Sequence, residues 1–169
     1  MSPVTKGRLP SWPVVLIATS FGSGFAPKGP GTAGTLTAIP MAWALARLGW
    51  WGYLAGFLAI TALGTWASSV FVRTTGTDDD QRIVVDEVAG YLLTLLPVAR
   101  TPVALGLAFV LFRLFDIWKP WPVRWVDRSV GGGFGVMADD LAAAVYGGIV
   151  MVVLERTGAI AWISTRFGL

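Results

Sequence analysis

The 169-residue sequence contains no cysteine and no histidine. Without cysteine there is no disulfide, no zinc–thiolate centre and no thiolate nucleophile. Without histidine there is no Ser-His-Asp triad and no phosphohistidine intermediate. The commonest general base and metal ligand is missing, so both tasks fall to carboxylates. A metal bound by such a chain meets oxygen ligands, which favours Mg²⁺ or Mn²⁺ over zinc. Charge is scarce as well. Asp, Glu, Lys and Arg make up 14% of the residues, against about 25% in ordinary soluble domains. Apolar residues make up 54% and mean hydropathy is +0.66. That balance predicts embedding in a lipid bilayer rather than a soluble domain. The net charge of +3 comes from scattered basic residues. They form no stripe suited to nucleic acid and fit anionic lipid headgroups better. At the amino terminus Lys6 and Arg8 precede apolar residues, but Pro10, Pro13 and the missing small-residue cleavage pattern make a poor signal peptide.

What is present is organised in apolar runs separated by polar segments. Residues 12–20 are apolar but too short to span. Residues 21–35, FGSGFAPKGPGTAGT, hold five Gly and two Pro, which predicts a loop rather than a regular helix. Ser23, Lys28, Thr32 and Thr35, with many free backbone N–H groups, could make it an anion-binding nest. Helical composition resumes over 35–46. Between Arg47 and Arg73 lie 25 uncharged residues, enough to cross a bilayer core, with Trp50, Trp51 and Tyr53 at one end as an interfacial belt. Further apolar runs cover 88–99, 103–112 and 141–154. The tail from 157 onward is weakly amphipathic and has no clear place. No repeat, linker or βα alternation is visible. The chain therefore reads as a single domain over 1–169, all-α, a compact membrane-embedded helical bundle with one polar active-site face.

The runs alternate in direction. A zigzag through them brings 21–34, 73–87 and 113–140 to one face. That face holds Lys28, Arg73, Arg82, Arg113, Lys119, Arg124 and Arg128; the other keeps Arg47, Arg100 and Arg156. The bias predicts that the polar face is cytoplasmic.

The densest chemistry lies in 110–141, VLFRLFDIWKPWPVRWVDRSVGGGFGVMADDL. Charged groups on so apolar a scaffold are costly unless paired, metal-bound or catalytic. Every carboxylate except Glu155 falls between 78 and 140. Asp86-Glu87, Asp116 and Asp139-Asp140 sit at expected ends of apolar helices. Each alone could be a helix cap or an ion-pair partner. Together they imply a cation, because like charges held close require one. Arg113 and Asp116 share a helix face, followed by Lys119 and the helix-stopping Pro120. They make either a plain ion pair or a site where Arg113 and Lys119 hold phosphate oxygens while Asp116 ligates metal. Gly131–Gly133 and Gly135 permit close backbone approach. Arg124, Asp127 and Arg128 read as surface or headgroup contacts, and Asp78-Asp79-Asp80 as a solvated loop in which only Asp80 could contribute. Carboxylates, Arg and Lys without His or Cys point to phosphoryl transfer by metal-activated water.

Three motifs, FGSGFAPKGPGTAGT at 21–35, IVVDEVAG at 83–90 and FRLFDIWKPWPVRWVDRSVGGGFGVMADDLAA at 112–143, make the chain resemble the phosphatidylglycerophosphatase A family over most of 14–150. The resemblance implies Mg²⁺-dependent hydrolysis of phosphatidylglycerophosphate to phosphatidylglycerol and phosphate, in the bacterial inner (cytoplasmic) membrane. It also implies Asp86, Glu87, Asp116, Asp139 and Asp140 as metal and water-activating residues. Lys28, Thr32, Arg113 and Lys119, with Ser23 of the same loop, become the phosphate-binding set. Ala144 stands where the family pattern has Gly. Two other classes remain from the residues alone: a small transporter using intramembrane carboxylates, and a non-catalytic bundle that binds anionic lipid.

Overall fold

Proline opens several helices of this chain. Pro13, Pro30 and Pro102 each stand in a first turn, where a missing N–H costs nothing and a fixed φ helps. Thr101 caps the third of these, its side chain accepting from the Ala104 N–H. Gly76, at φ 71, closes the longest helix in the left-handed conformation, its N–H donating to Val72 O at 2.8 Å. The structure, a computed structural model, describes residues 9–78 and 80–168. In order they form α1 (Trp12–Ala18), a 3₁₀ turn (Ser23–Phe25), α2 (Pro30–Ala46), α3 (Gly49–Thr75), α4 (Val85–Leu95), α5 (Pro102–Trp118), α6 (Val123–Ser129), α7 (Gly132–Arg156) and α8 (Ala159–Phe167). No strand occurs among the described residues. The chain is an all-α bundle.

α7 is the axis. It packs against α3, α4, α5 and α6. α4 is the most enclosed element: every residue but Glu87 and Leu93 is buried. Tyr91, Leu92 and Leu95 of α4 meet Tyr53, Phe57, Phe112 and Met151 in one core, while Phe71, Val85, Ala89 and Met137 form a second. Small residues set how close the axes come. A side chain at Gly133 would collide with the backbone of Ser68 and Ser69, so α7 can meet α3 there only as glycine. At the far end Tyr53 Oη donates to Leu92 O at 3.0 Å and the Arg100 guanidinium lies 4.1 Å over the Tyr53 ring.

Among the described residues two helices are long and apolar enough to cross a bilayer, α3 and α7, with mean hydropathy 1.6 and 1.7. Only 33% and 44% of their apolar windows are buried. Leu58, Leu63 and Trp66 of α3 and Val145, Ile149 and Val153 of α7 point outward. Lipid, not water, is the solvent that such faces suit. The shorter helices pack around these two, which makes a compact membrane-embedded bundle.

Several boundaries differ from the sequence reading. Residues 30–35 are helical, not loop: Gly29 at φ 58 turns the chain and Pro30 starts α2 at once. α7 begins at Gly132, nine residues before the apolar run over 141–154, so Asp139 and Asp140 lie inside a helix rather than ahead of it. Of the glycines that read as loop there, Gly133 and Gly135 are packing positions, while Gly132 turns the chain at φ 70. The unplaced tail forms α8. Lys6, Arg8 and Asp79 lie outside the described residues.

Candidate active site

Four helix ends converge on one cavity of about 620 Å³. α2 contributes Gly29, Pro30 and Gly31 from its first turn; α4 contributes Asp86 and Glu87 from its own. Both helices point their amino termini inward, where free N–H groups and the helix dipole favour negative charge. α5 supplies Arg113 and Asp116 and is closed by Lys119, held at φ 45 with its N–H on Phe115 O. α7 supplies Asp139 and Asp140, and the loop before α4 adds Asp78, Asp80 and Gln81. The zigzag expected from the apolar runs is the topology that makes this convergence.

At the floor of the cavity, Asp86, Glu87 and Asp140 each offer an oxygen within 4.8 Å of the others. Asp86 Oδ1, Glu87 Oε2 and Asp140 Oδ2 are buried with no hydrogen-bond partner. Burial pushes the Asp86 carboxyl far above the usual carboxylate range, and the charges of Glu87 and Asp140 push the same way. Burial also raises Glu87, with the Asp116 charge pushing the same way and the Arg113 charge opposing it. Three acids in this arrangement repel one another unless a cation or protons intervene. Their all-oxygen donor set fits a hard divalent cation.

Cationic groups face the acids. Arg113 Nη1 lies 2.7 Å from Asp116 Oδ2 and 3.7 Å from Glu87 Oε1. Its Nε and Nη1 nonetheless lack hydrogen bonds with good geometry and are buried. The buried atoms left without hydrogen bonds are donors of the kind an anion takes and acceptors of the kind a hard cation takes. Lys119 Nζ donates to Asp139 Oδ2 at 2.6 Å and also to Asp127. Burial lowers the Lys119 pKa, but these bonds outweigh it and leave the ammonium more firmly protonated than usual. At Gly31, a side chain would run into the Glu87 carboxylate and come within 3.0 Å of Arg113 Nη1. α2 can therefore approach the acids only through glycine.

The structure thus brings Asp86, Glu87, Asp116, Asp139, Asp140, Arg113 and Lys119 into one cavity. Within it, Asp139 is turned to Lys119 rather than to the Asp86 group. Ser23, Lys28 and Thr32 are not on the cavity wall. Ser23 Oγ donates to Thr19 O, and Lys28 and Thr32 are exposed. The glycine-rich segment meets the cavity through backbone at 29–31 instead. Asp127, read from sequence as a surface residue, lines the cavity and anchors Lys119. Asp80, from the segment read as a solvated loop, is on the wall with its carboxyl held low by Arg82, and Asp78, which that reading set aside, lines it too, with Gln81. Nothing in the spacing signals Asp127: it depends on how the chain folds back after Lys119.

Comparison with known proteins agrees with this geometry. The family profile described as phosphatidylglycerophosphatase A matches residues 16–155. A protein of Escherichia coli (strain K12) named phosphatidylglycerophosphatase A is 41% identical over 146 residues, covering 84% of each chain. One of the same name from Haemophilus influenzae is 36% identical over 152 residues, covering 85% of this chain and 89% of that one. A Bacteroides thetaiotaomicron protein, provisionally named a phosphatidylinositol-3-phosphatase, is 42% identical over 156 residues, covering 86% and 96%. No solved structure matches the chain at a significant level. With its motifs, its acid-and-arginine cavity and these relatives all in agreement, the chain belongs to the phosphatidylglycerophosphatase A family of phosphatases.

Proposed function

We propose that this cavity hydrolyses the terminal phosphomonoester of phosphatidylglycerophosphate, leaving phosphatidylglycerol and inorganic phosphate, with Mg²⁺ as cofactor. One observation carries the reading: buried carboxylate oxygens without hydrogen bonds share one cavity with the buried Arg113 guanidinium, which is ion-paired to Asp116 and 3.7 Å from Glu87. Asp86, Glu87 and Asp140 would hold the cation, with Asp116 and Asp139 beside them. When bound, a divalent cation there supplies a water acidic enough to attack phosphorus at neutral pH and offsets phosphoryl charge. Arg113 and Lys119 grip the non-bridging phosphate oxygens. The amino terminus of α2 adds the backbone N–H of Gly31. Asp116 orients Arg113, and Asp139 with Asp127 orients Lys119.

The diacyl tails lie along the apolar helices in the bilayer while the headgroup reaches the polar face. The bias of basic residues toward that face supports a cytoplasmic orientation in a bacterial inner membrane. The name of the Bacteroides relative favours a second substrate, phosphatidylinositol 3-phosphate. It too is a lipid with an internal phosphodiester and a distal phosphomonoester. Phosphate release from both lipids, with Mg²⁺ and with excess EDTA, decides between them. Undiminished release in EDTA would sink the cation assignment. Flux through proteoliposomes without hydrolysis would favour a transporter instead.

A further inference from the structure

A second cavity, of about 540 Å³, adjoins the catalytic one where α5 ends and α6 turns back. Its walls are Trp118, Trp121, Trp125, Arg124, Arg128 and Lys119, and no carboxylate lines it among the described residues. Arg124 and Arg128 stand one turn apart on α6, both exposed. Neither is in an ion pair among the described residues; Arg124 Nη2 makes only a long 3.5 Å contact to Trp118 O. Lys119 belongs to both cavities. An anion in the second is therefore a neighbour of a phosphate in the first, with Lys119 as the residue the two cavities share. The three indole rings are largely exposed, at 61%, 81% and 61%, as suits side chains at a membrane interface. Two unspent guanidinium groups framed by indoles fit a phosphate carried on an apolar body.

Resting on the phosphatase reading above, we infer that this cavity holds the internal phosphodiester of the substrate lipid. Arg124 and Arg128 thereby select a lipid with a diester and a distal monoester over a lipid with a monoester alone. In phosphatidylglycerophosphate the two phosphates are joined by one glycerol, so a headgroup seated at Arg113 and Lys119 sets its diester beside the shared lysine. Phosphatidate has no diester. It brings its diacylglycerol directly against the catalytic phosphate and leaves both arginines unused. The arginines act on binding of the headgroup, not on the reacting atoms, so their effect falls mainly on KM.

The test compares kcat/KM for phosphatidylglycerophosphate and phosphatidate in micelles of a neutral detergent, where attraction to a charged surface does not enter. Wild type prefers the former. In Arg124→Ala/Arg128→Ala that preference falls by at least about tenfold, mostly through KM, and Arg124→Lys/Arg128→Lys keeps part of it. Phosphatidylglycerol, which retains the diester and lacks the monoester, inhibits wild type and loses potency by a similar factor in the alanine variant. If the double variant does not accumulate, Arg124→Ala and Arg128→Ala are read singly on the same two measures. An unchanged preference, equal loss on both lipids, or a wild type indifferent between them overturns the inference. Failure of the wild type to release phosphate from phosphatidylglycerophosphate overturns the phosphatase reading instead.

Discussion

Lys119 Nζ lies 2.6 Å from Asp139 Oδ2, an ion pair that ties the end of α5 to the interior of α7. The same ammonium reaches Asp127 on α6. One lysine therefore holds three helices at the cavity wall. It does so from a left-handed backbone conformation that a non-glycine residue adopts only under constraint. Lys119→Met leaves the Asp139 side chain, 10% exposed, without its counterion. The expected cost is about 1–3 kcal/mol of stability, scaled down from a fully buried pair because Lys119 is partly solvated. Activity falls on the order of 100-fold with the loss of a phosphate-binding cation. Lys119→Arg restores charge and part of both. Thermal melts and kcat/KM on the three proteins check this; a stable, fully active Lys119→Met removes the lysine from the site.

Asp86→Asn and Asp140→Asn act on the cation and on the fold in opposite senses. Each removes a ligand and abolishes binding of Mg²⁺ or of Mn²⁺ used as a paramagnetic probe. Each also removes one carboxyl from a buried cluster of acids in which ionisation is penalised. In EDTA the variants therefore melt no lower than wild type and gain roughly 1 kcal/mol. In Mg²⁺ the order reverses, because only wild type is stabilised by the ligand. Variants that melt well below wild type in EDTA would show the carboxylates to be structural partners.

How much of this was legible beforehand depends on the kind of signal. The apolar runs, their alternation and the convergence of 21–34, 73–87 and 113–140 follow from hydropathy, because burial against lipid or core leaves a long contiguous trace. α7 did not follow, since its first residues are Gly-Gly-Phe-Gly and glycine reads locally as loop. Only the approach of Ser68 and Ser69 explains why glycine is required at 133. Lys28 drew attention as a lone charge in a neutral segment, yet it points to the exterior while the glycines beside it meet the acids. Asp127 was invisible for the opposite reason. Its role rests on a reversal of the chain between α5 and α6, and a contact of that kind leaves no periodicity to read.

Gly31→Ala isolates the contribution of that glycine approach. The added methyl group meets the Glu87 carboxylate and sits 3.0 Å from Arg113 Nη1, so both groups must shift. Displacement of catalytic groups by a fraction of an ångström lowers activity by about 10- to 100-fold. Gly106→Ala, exposed on α5 with open space around it, serves as the control. It gains up to about 1 kcal/mol from helix propensity and leaves turnover unchanged. Equal turnover in Gly31→Ala would show that α2 does not bound the reacting groups.

Protons and the cation compete for Asp86 and Glu87, and the sign of that competition is fixed by burial. Both carboxyls are raised above their ordinary values in the folded, cation-free protein. Below the ordinary carboxylate range both folded and unfolded chains hold these protons, and no stability is lost. As pH rises from that range toward the raised folded values, the unfolded chain ionises freely while the folded one cannot, so cation-free stability declines. Cation binding needs the ionised carboxylates and displaces the retained protons, so apparent affinity for Mg²⁺ increases over the same interval. Melting temperature in EDTA should thus drift down with rising pH while the increment produced by Mg²⁺ grows. In Asp86→Asn both slopes flatten, because the most strongly raised group outside α7 is gone. A Mg²⁺ increment that shrinks as pH rises would mean that these acids do not hold the cation.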